Sequence, residues 1–367
     1  MDKQKEQLID LVNSALWGTP AHAELFGEGT NWEALYQTAK EQACLGLAFQ
    51  GISTLPNDRK PNRILLLKWY GFVAEMENHY AHHVDILGQV FQLFGKEHPI
   101  LLKGLSVAAL YPNPKLRHLG DIDLLLPEMD EKKSAKLLRS KGIHVNSDHQ
   151  TSKHIGFDLD GVEIELHWEI GQPLNPFCYK AYKMFERQSA KITREETIEG
   201  VKVNLLPLEF NAVTLLIHMV DHFTAKGLGL RQICDWTLFL NRHHAEMDKN
   251  LLKEMLSQLK MMNDWQLFSN FCVNYLGLST QAAIFYSESK TKKAQKLAEV
   301  VFALGNFGEY NPVWKDQPTA YCKRKIEALW GNIEHFFRTF SISPSNALFN
   351  IFYFYPIDAF GRLKKRK

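Results

Sequence analysis

Gly120-Asp121-Ile122-Asp123-Leu124-Leu125-Leu126-Pro127 is the stretch from which the fold can be read outward. Apart from its two carboxylates the run is apolar and ends at a proline, the pattern of a buried β-strand. Side-chain alternation puts Asp121 and Asp123 on one face, with Cα atoms about 6.6 Å apart at ~3.3 Å per residue. Two like charges at the edge of a core are unfavourable unless something cationic meets them. A hard divalent cation with oxygen ligands meets that need. Upstream, Pro99-Ile-Leu-Leu102 reads as a short strand, followed by Lys103-Gly104-Leu105-Ser106 and a turn or two of helix over Val107–Tyr111. Backbone N–H groups at a helix start, a small hydroxyl and a lysine beside a strand end form a set suited to phosphate oxygens. Tyr111-Pro-Asn-Pro-Lys115 is a loop, Arg117 and His118 lead into the Asp121 strand, and Glu128–Ser140 is a charged surface helix closed by Gly142.

A second acidic segment follows, His154-Ile-Gly-Phe-Asp-Leu-Asp160-Gly161-Val-Glu-Ile-Glu-Leu-His167-Trp-Glu-Ile170. Asp-Gly between two alternating runs marks a two-residue hairpin turn. With that turn, Leu159 faces Val162, Phe157 faces Ile164 and Ile155 faces Leu166 on an apolar side. On the polar side Asp158 faces Glu163, Gly156 faces Glu165 and His154 faces His167. Glu163, Glu165, His167 and Glu169 then stack along one strand, as on a solvated sheet face or in a cation site. Glu165 is preferred to Glu163 as a ligand, because Gly156 opposite leaves room for ions and Glu163 lies near the turn tip.

The 367 residues allow two or three domains, and 45% hydrophobic content is ordinary for a globular chain. A formal charge of +2 argues against a large nucleic-acid-binding field. Five scattered cysteines without a Cys-x-x-Cys read as reduced thiols of a cytoplasmic protein. The first residues lack a signal-peptide pattern, and no run reaches the ~18 apolar residues of a transmembrane segment. Residues 1–97 form an N-terminal helical region. Asn31 caps one of its helices, and a long helix from about Asn62 to Gly95 carries His79, His82 and His83 on a solvated face. Residues 98–207 are the mixed core, and residues 208–367 are a C-terminal helical domain. That domain opens with a helix holding His218 and His222, four residues apart. A helix over Arg231–Arg242 carries Asp235, and further helices run over about 248–262, 264–276, 291–305 and 320–340. Ala347–Tyr355 is expected as a terminal core helix, followed by the solvated basic tail Arg362-Leu-Lys-Lys-Arg-Lys367, in preference to an interfacial membrane anchor.

If the Asp121 and Glu165 strands are neighbours ~4.8 Å apart, three carboxylates converge on one patch. Such a patch suits two divalent ions about 3.5–4 Å apart, the arrangement used for phosphoryl and nucleotidyl transfer. Lys103, Gly104, Ser106 and Arg117 would then hold phosphates from the other side, and His167, His218 and His222 are candidates for the cleft wall. The order strand–Gly–helix, Asp-x-Asp on a strand and a third acid on a later strand resembles the polymerase-beta-like nucleotidyltransferase superfamily. Leu102-Lys-Gly104, Tyr111-Pro, Arg117, Asp121-Ile-Asp123-Leu-Leu and Glu165-Leu-His-Trp168 resemble its family of uncharacterised bacterial nucleotidyltransferases. The similarity runs from about 90 to 245. Gly104-Leu105-Ser106 stands where the superfamily usually has Gly-Gly or Gly-Ser.

The expected fold is therefore α+β, a small mixed β-sheet nucleotidyltransferase core flanked by N-terminal and C-terminal helical regions. The resemblance implies transfer of a nucleoside monophosphate from a nucleoside triphosphate, ATP or another, with two Mg²⁺ (or Mn²⁺) ions bound by Asp121, Asp123 and Glu165. The acceptor would be a small molecule, a sugar or a protein hydroxyl, with no long nucleic acid expected, although a tRNA end on a basic C-terminal helix stays open. The alternative is a catalytically weak nucleotide-binding or scaffold protein that retains the fold. An intact set of three carboxylates argues against that decay, because buried acids with no cation to meet are costly.

Overall fold

The computed structural model describes residues 2–145, 153–171, 173, 175–306 and 321–354. Its N-terminal helices start where short polar side chains can satisfy free backbone donors. Asp2, Asn31 and Asn62 accept from the N–H groups of Lys5, Ala34 and Leu65 and so cap α1 (Lys3–Trp17), α2 (Trp32–Glu41) and α4 (Arg63–Phe94). Between them α3 (Leu45–Thr54) packs on α1. The helix α4 joins two cores: Leu65, Trp69 and Val73 belong to a helical core, whereas Tyr80, Ile86, Leu87, Val90 and Phe94 pack on the sheet.

Six strands form one mixed sheet: β1 (Ile100–Leu101), β2 (Ile122–Leu125), β3 (His154–Leu159), β4 (Val162–His167), β5 (Arg194–Ile198) and β6 (Val201–Leu205). Their spatial order is β3-β4-β2-β1-β6-β5. The β3–β4 hairpin has the register expected from Asp160-Gly161, and β4 runs parallel to β2 with Glu165 beside Asp123. Alternation turns Ile122, Leu124, Ile164, Leu166, Ile155 and Phe157 toward α4 and α6 (Glu131–Ser140). Asp123, Glu165 and His167 occupy the opposite face by the same period of two. Between β1 and β2 the chain makes the short α5 (Leu105–Ala108).

The remaining helices are α7 (Tyr179–Ser189), α8 (Leu208–Ala225), α9 (Leu230–His243), α10 (Lys249–Gln258), α11 (Met262–Leu276), α12 (Thr291–Leu304), α13 (Tyr321–Phe340) and α14 (Pro344–Phe349). N-terminal and C-terminal helices share the helical core, which holds Leu8, Leu11 and Trp69 together with Trp236 and Trp265. Trp17 donates to the Leu276 carbonyl at 2.7 Å and Gln42 to the Val301 carbonyl at 3.1 Å, tying the two ends of the sequence together.

Two expectations need correction. The face of α4 bearing the histidines is not wholly solvated: His83 is buried, and its Nε2 lies 2.7 Å from the Gly120 carbonyl oxygen, next to Asp121. The apolar stretch from Ala347 is not a core helix throughout, because Ala347 is buried but Phe352 and Tyr353 are exposed beyond the end of α14. Tyr355 and the basic tail to Lys367 lie outside the described residues. Among the described residues no helix is long and apolar enough to cross a membrane.

Candidate functional site

Parallel pairing of β2 and β4 brings the acidic residues together. Asp121, Asp123 and Glu165 each offer a carboxylate oxygen within 4.8 Å of the others. Asp123 is buried, Glu165 is half-buried and Asp121 stands exposed at the entry to β2. His154, Glu165 and His167 also bring donor atoms within 4.8 Å, so Glu165 belongs to an oxygen set and to a mixed nitrogen–oxygen set. The first set is all-oxygen, anionic and crowded, which suits a hard divalent cation.

Two cationic side chains meet that charge. Lys103 Nζ lies 3.1 Å from Asp123 Oδ2. His167 Nε2 lies 2.8 Å from Asp123 Oδ1 and 3.0 Å from Glu165 Oε2, bridging the two strands. Burial opposes the imidazolium, yet the two carboxylates prevail and hold the His167 pKa up at about 9. Burial likewise opposes charge on Asp123, but Lys103 and His167 outweigh it and keep its pKa below the usual carboxylate range. At Asp121 the Lys103 charge is outweighed. The Asp123 charge, and after it desolvation, raise its pKa to about 6. This mutual repulsion is what a bound cation would relieve.

Around the carboxylates lies a cavity of about 490 Å³ between the sheet and α8. Lys103, Gly104, Arg117, His167, His218 and His222 line it with the three acids. The two α8 histidines stack edge to face at 4.2 Å. Burial, and next the Lys103 charge, push His218 well below its ordinary pKa and His222 down to about 3, so both are neutral imidazoles near pH 7. At Gly104 the backbone takes φ 62° and ψ −111°, a conformation open to glycine, as the chain turns from β1 into α5.

Two residues expected to hold phosphate are engaged elsewhere. The Ser106 hydroxyl donates to the carbonyls of Leu102 and Lys103 and closes its own turn. Arg117 makes a fork with Asp235, Nε to Oδ1 and Nη2 to Oδ2, each at 2.8 Å. Tyr111 also donates to Asp235 Oδ1, at 2.7 Å. The Tyr-Pro and Arg of the sequence pattern thus brace the loop before β2 against α9, at the back of the cavity. Sequence reasoning passed over Arg231 and Gln232, which line the same cavity, and His154, whose Nε2 lies 3.3 Å from Glu165 Oε1. The register of the hairpin already faced His154 toward His167; nothing local to α9 singled out Arg231.

A family model described as uncharacterised nucleotidyltransferase matches residues 28–277, a wider span than the sequence pattern alone suggested. No curated protein matches the chain. A crystal structure of an antigenic nucleotidyltransferase-like protein from Paracoccidioides brasiliensis is similar at 16% identity, over 56% of this chain and 94% of that one, with a TM-score of 0.36.

Proposed function

The chain belongs to the uncharacterised nucleotidyltransferase family, and from that premise we propose that it transfers a nucleoside monophosphate from a nucleoside triphosphate to an acceptor hydroxyl. The observation that carries the proposal is the convergence of Asp121, Asp123 and Glu165 from two adjacent parallel strands onto one wall of the cavity. These acids would hold two Mg²⁺ or Mn²⁺ ions, which when bound supply a lowered pKa for the acceptor hydroxyl and charge compensation for the leaving pyrophosphate.

The chain's own residues do the rest. Lys103, at the cavity wall, exchanges Asp123 for a phosphate oxygen, and the Gly104 turn brings backbone close to the same group. Ser106 and Arg117 act as positioning residues, one pinning the turn and the other the loop before β2. His167 keeps Glu165 and Asp123 in register when cations are scarce. His218 and His222, neutral across the cavity, can accept a hydrogen bond from a hydroxyl of a small molecule, a sugar or a protein side chain. In this scheme residues 98–207 carry the chemistry, the segment 208–367 supplies the facing wall, and residues 1–97 brace both.

The test is transfer of label from α-labelled triphosphates to cell extract, with pyrophosphate release followed in parallel under Mg²⁺ or Mn²⁺. Asp123→Asn should reduce release by roughly two orders of magnitude or more, the usual scale for removing a charge-stabilising group. A scaffold that binds nucleotide without turnover is the second reading, favoured by one observation: Lys103 and His167 already compensate the acids without an ion. Thermal stabilisation by Mg²⁺ plus triphosphate, with no pyrophosphate from any of the four common nucleotides, would establish that reading over the enzyme.

A further inference from the structure

Arg231, the second residue of α9, is 8% exposed and lines the cavity. Its Nη1 donates to the His118 carbonyl at 2.7 Å, and its Nε is buried with no partner. The acid one turn along the same helix, Asp235, has both oxygens taken by Arg117. Among the described residues no carboxylate lies within ion-pair distance of Arg231. Its neighbour Gln232 donates through Nε2 to Asn306 Oδ1 at 3.0 Å, which leaves the buried Oε1 unpartnered at the same cavity.

A guanidinium cannot shed its proton to escape this environment. Burial and the adjacent Arg117 both work against its charge and outweigh the favourable field of the more distant Asp235. An unpaired buried cation is costly to a fold, and an anion entering the cavity would remove that cost. The planar fork matches phosphoryl and carboxylate oxygens. Arg117 is not placed for this part, since its Nε and Nη2 are paired with Asp235 and its Nη1 donates to the His118 carbonyl.

We infer that Arg231 anchors an anion subsite on the helical wall of the cavity, taking a phosphoryl or carboxylate group of one of the two substrates. The subsite stands on α9, apart from the carboxylates on the sheet. The inference rests on the nucleotidyltransferase reading for its choice of ligand, and on Arg231 itself for its location.

The experiment is calorimetric titration of the full chain with tripolyphosphate in a chelator, where no metal and no turnover are needed. Arg231→Gln should weaken binding at least tenfold, and Arg231→Lys should keep part of it. Lys202→Gln, the same charge change at a lysine whose side chain is 77% exposed, should leave it unaltered. Circular dichroism confirms that each variant is folded, and the lysine variant serves if the glutamine one is not. Repeating the titration with ATP and AMP separates the two sources. A loss for ATP but not AMP places the terminal phosphoryl groups at Arg231, whereas a loss for tripolyphosphate with ATP unchanged reserves the subsite for an anionic acceptor. Equal tripolyphosphate affinity in wild type and both arginine variants overturns the inference. Because the readout needs no catalysis, a protein without nucleotidyl transfer can still pass it.

Discussion

Asp235 shows how one side chain can set the geometry of a site it does not enter. Its two oxygens receive Arg117 and Tyr111, all three are buried, and the Arg117 partner is 118 residues away in sequence. Removing one member of a buried ion pair strands the other, which costs about 3–5 kcal/mol. Asp235→Asn should therefore lower the urea unfolding free energy by about that amount, whereas Tyr111→Phe, losing one bond to a charged acceptor, should lower it by about 1.5–3 kcal/mol. Equal, small effects for both would show that the fork is not a stabilising brace. The same residue marks a limit of the sequence. Tyr111, Arg117 and Asp235 were each visible as pattern residues, yet no local signal says that they meet. His167 lies on the boundary of legibility. Alternation placed it on the face of Glu165, but its bridge to Asp123 depends on the β2–β4 register, and a slip of one residue would have sent it to the other face.

At the scale of elements, the two hairpins show which signals a sequence carries clearly. Asp160-Gly161 and Glu199-Gly200 both adopt positive φ at both turn residues, 49° and 82° in one case and 48° and 84° in the other. Aspartate with glycine is a familiar pairing for such a turn and glutamate is not, so β3–β4 was legible while β5, β6 and the preceding α7 were passed over. The helix starts at Asn31 and Asn62 were legible because N-capping by a short polar side chain is local. Contacts between helices were not, and Gly51 illustrates why. It lies in α3, where alanine would ordinarily add up to ~1 kcal/mol of helix propensity. A Cβ there would sit 2.4 Å from the Leu11 carbonyl oxygen of α1, a backbone atom that cannot swing aside. Overpacking of that kind costs about 1–3 kcal/mol. Gly51→Ala should lower the melting temperature, while Gly71→Ala, on an exposed part of α4 with nothing within 4 Å of a Cβ, should raise it slightly. Stabilisation by both substitutions would mean that α1 and α3 are not seated this closely.

For the molecule as a whole, helix packing leaves His118, His218, His222 and His335 half-buried. Desolvation, aided by Arg231 and Arg117, brings His118 down to about 4, and desolvation with Lys103 brings His222 to about 3. His218 and His335 are depressed by burial as well. In the unfolded chain each would take up a proton near pH 6.5. The sign follows from linkage: as pH falls below 6.5 the unfolded state binds protons that the folded state refuses, so stability declines until the folded values are reached near 4 and below. His118 alone contributes on the order of 3 kcal/mol to that decline at ~1.4 kcal/mol per pH unit. Urea midpoints measured from pH 7.5 to 4 should therefore fall below 6.5, ahead of the range where ordinary carboxylates protonate, with Asp121, raised to about 6, offsetting part of the decline below that value. His118→Asn should flatten the upper part of the curve, since the stacking of its ring on Phe72 at 6.4 Å is a weak contact beside the protonation effect. A midpoint that stays level down to pH 4.5 in the wild type would mean that these rings are charged or wet in the folded protein, and that the cavity wall is looser than its packing implies.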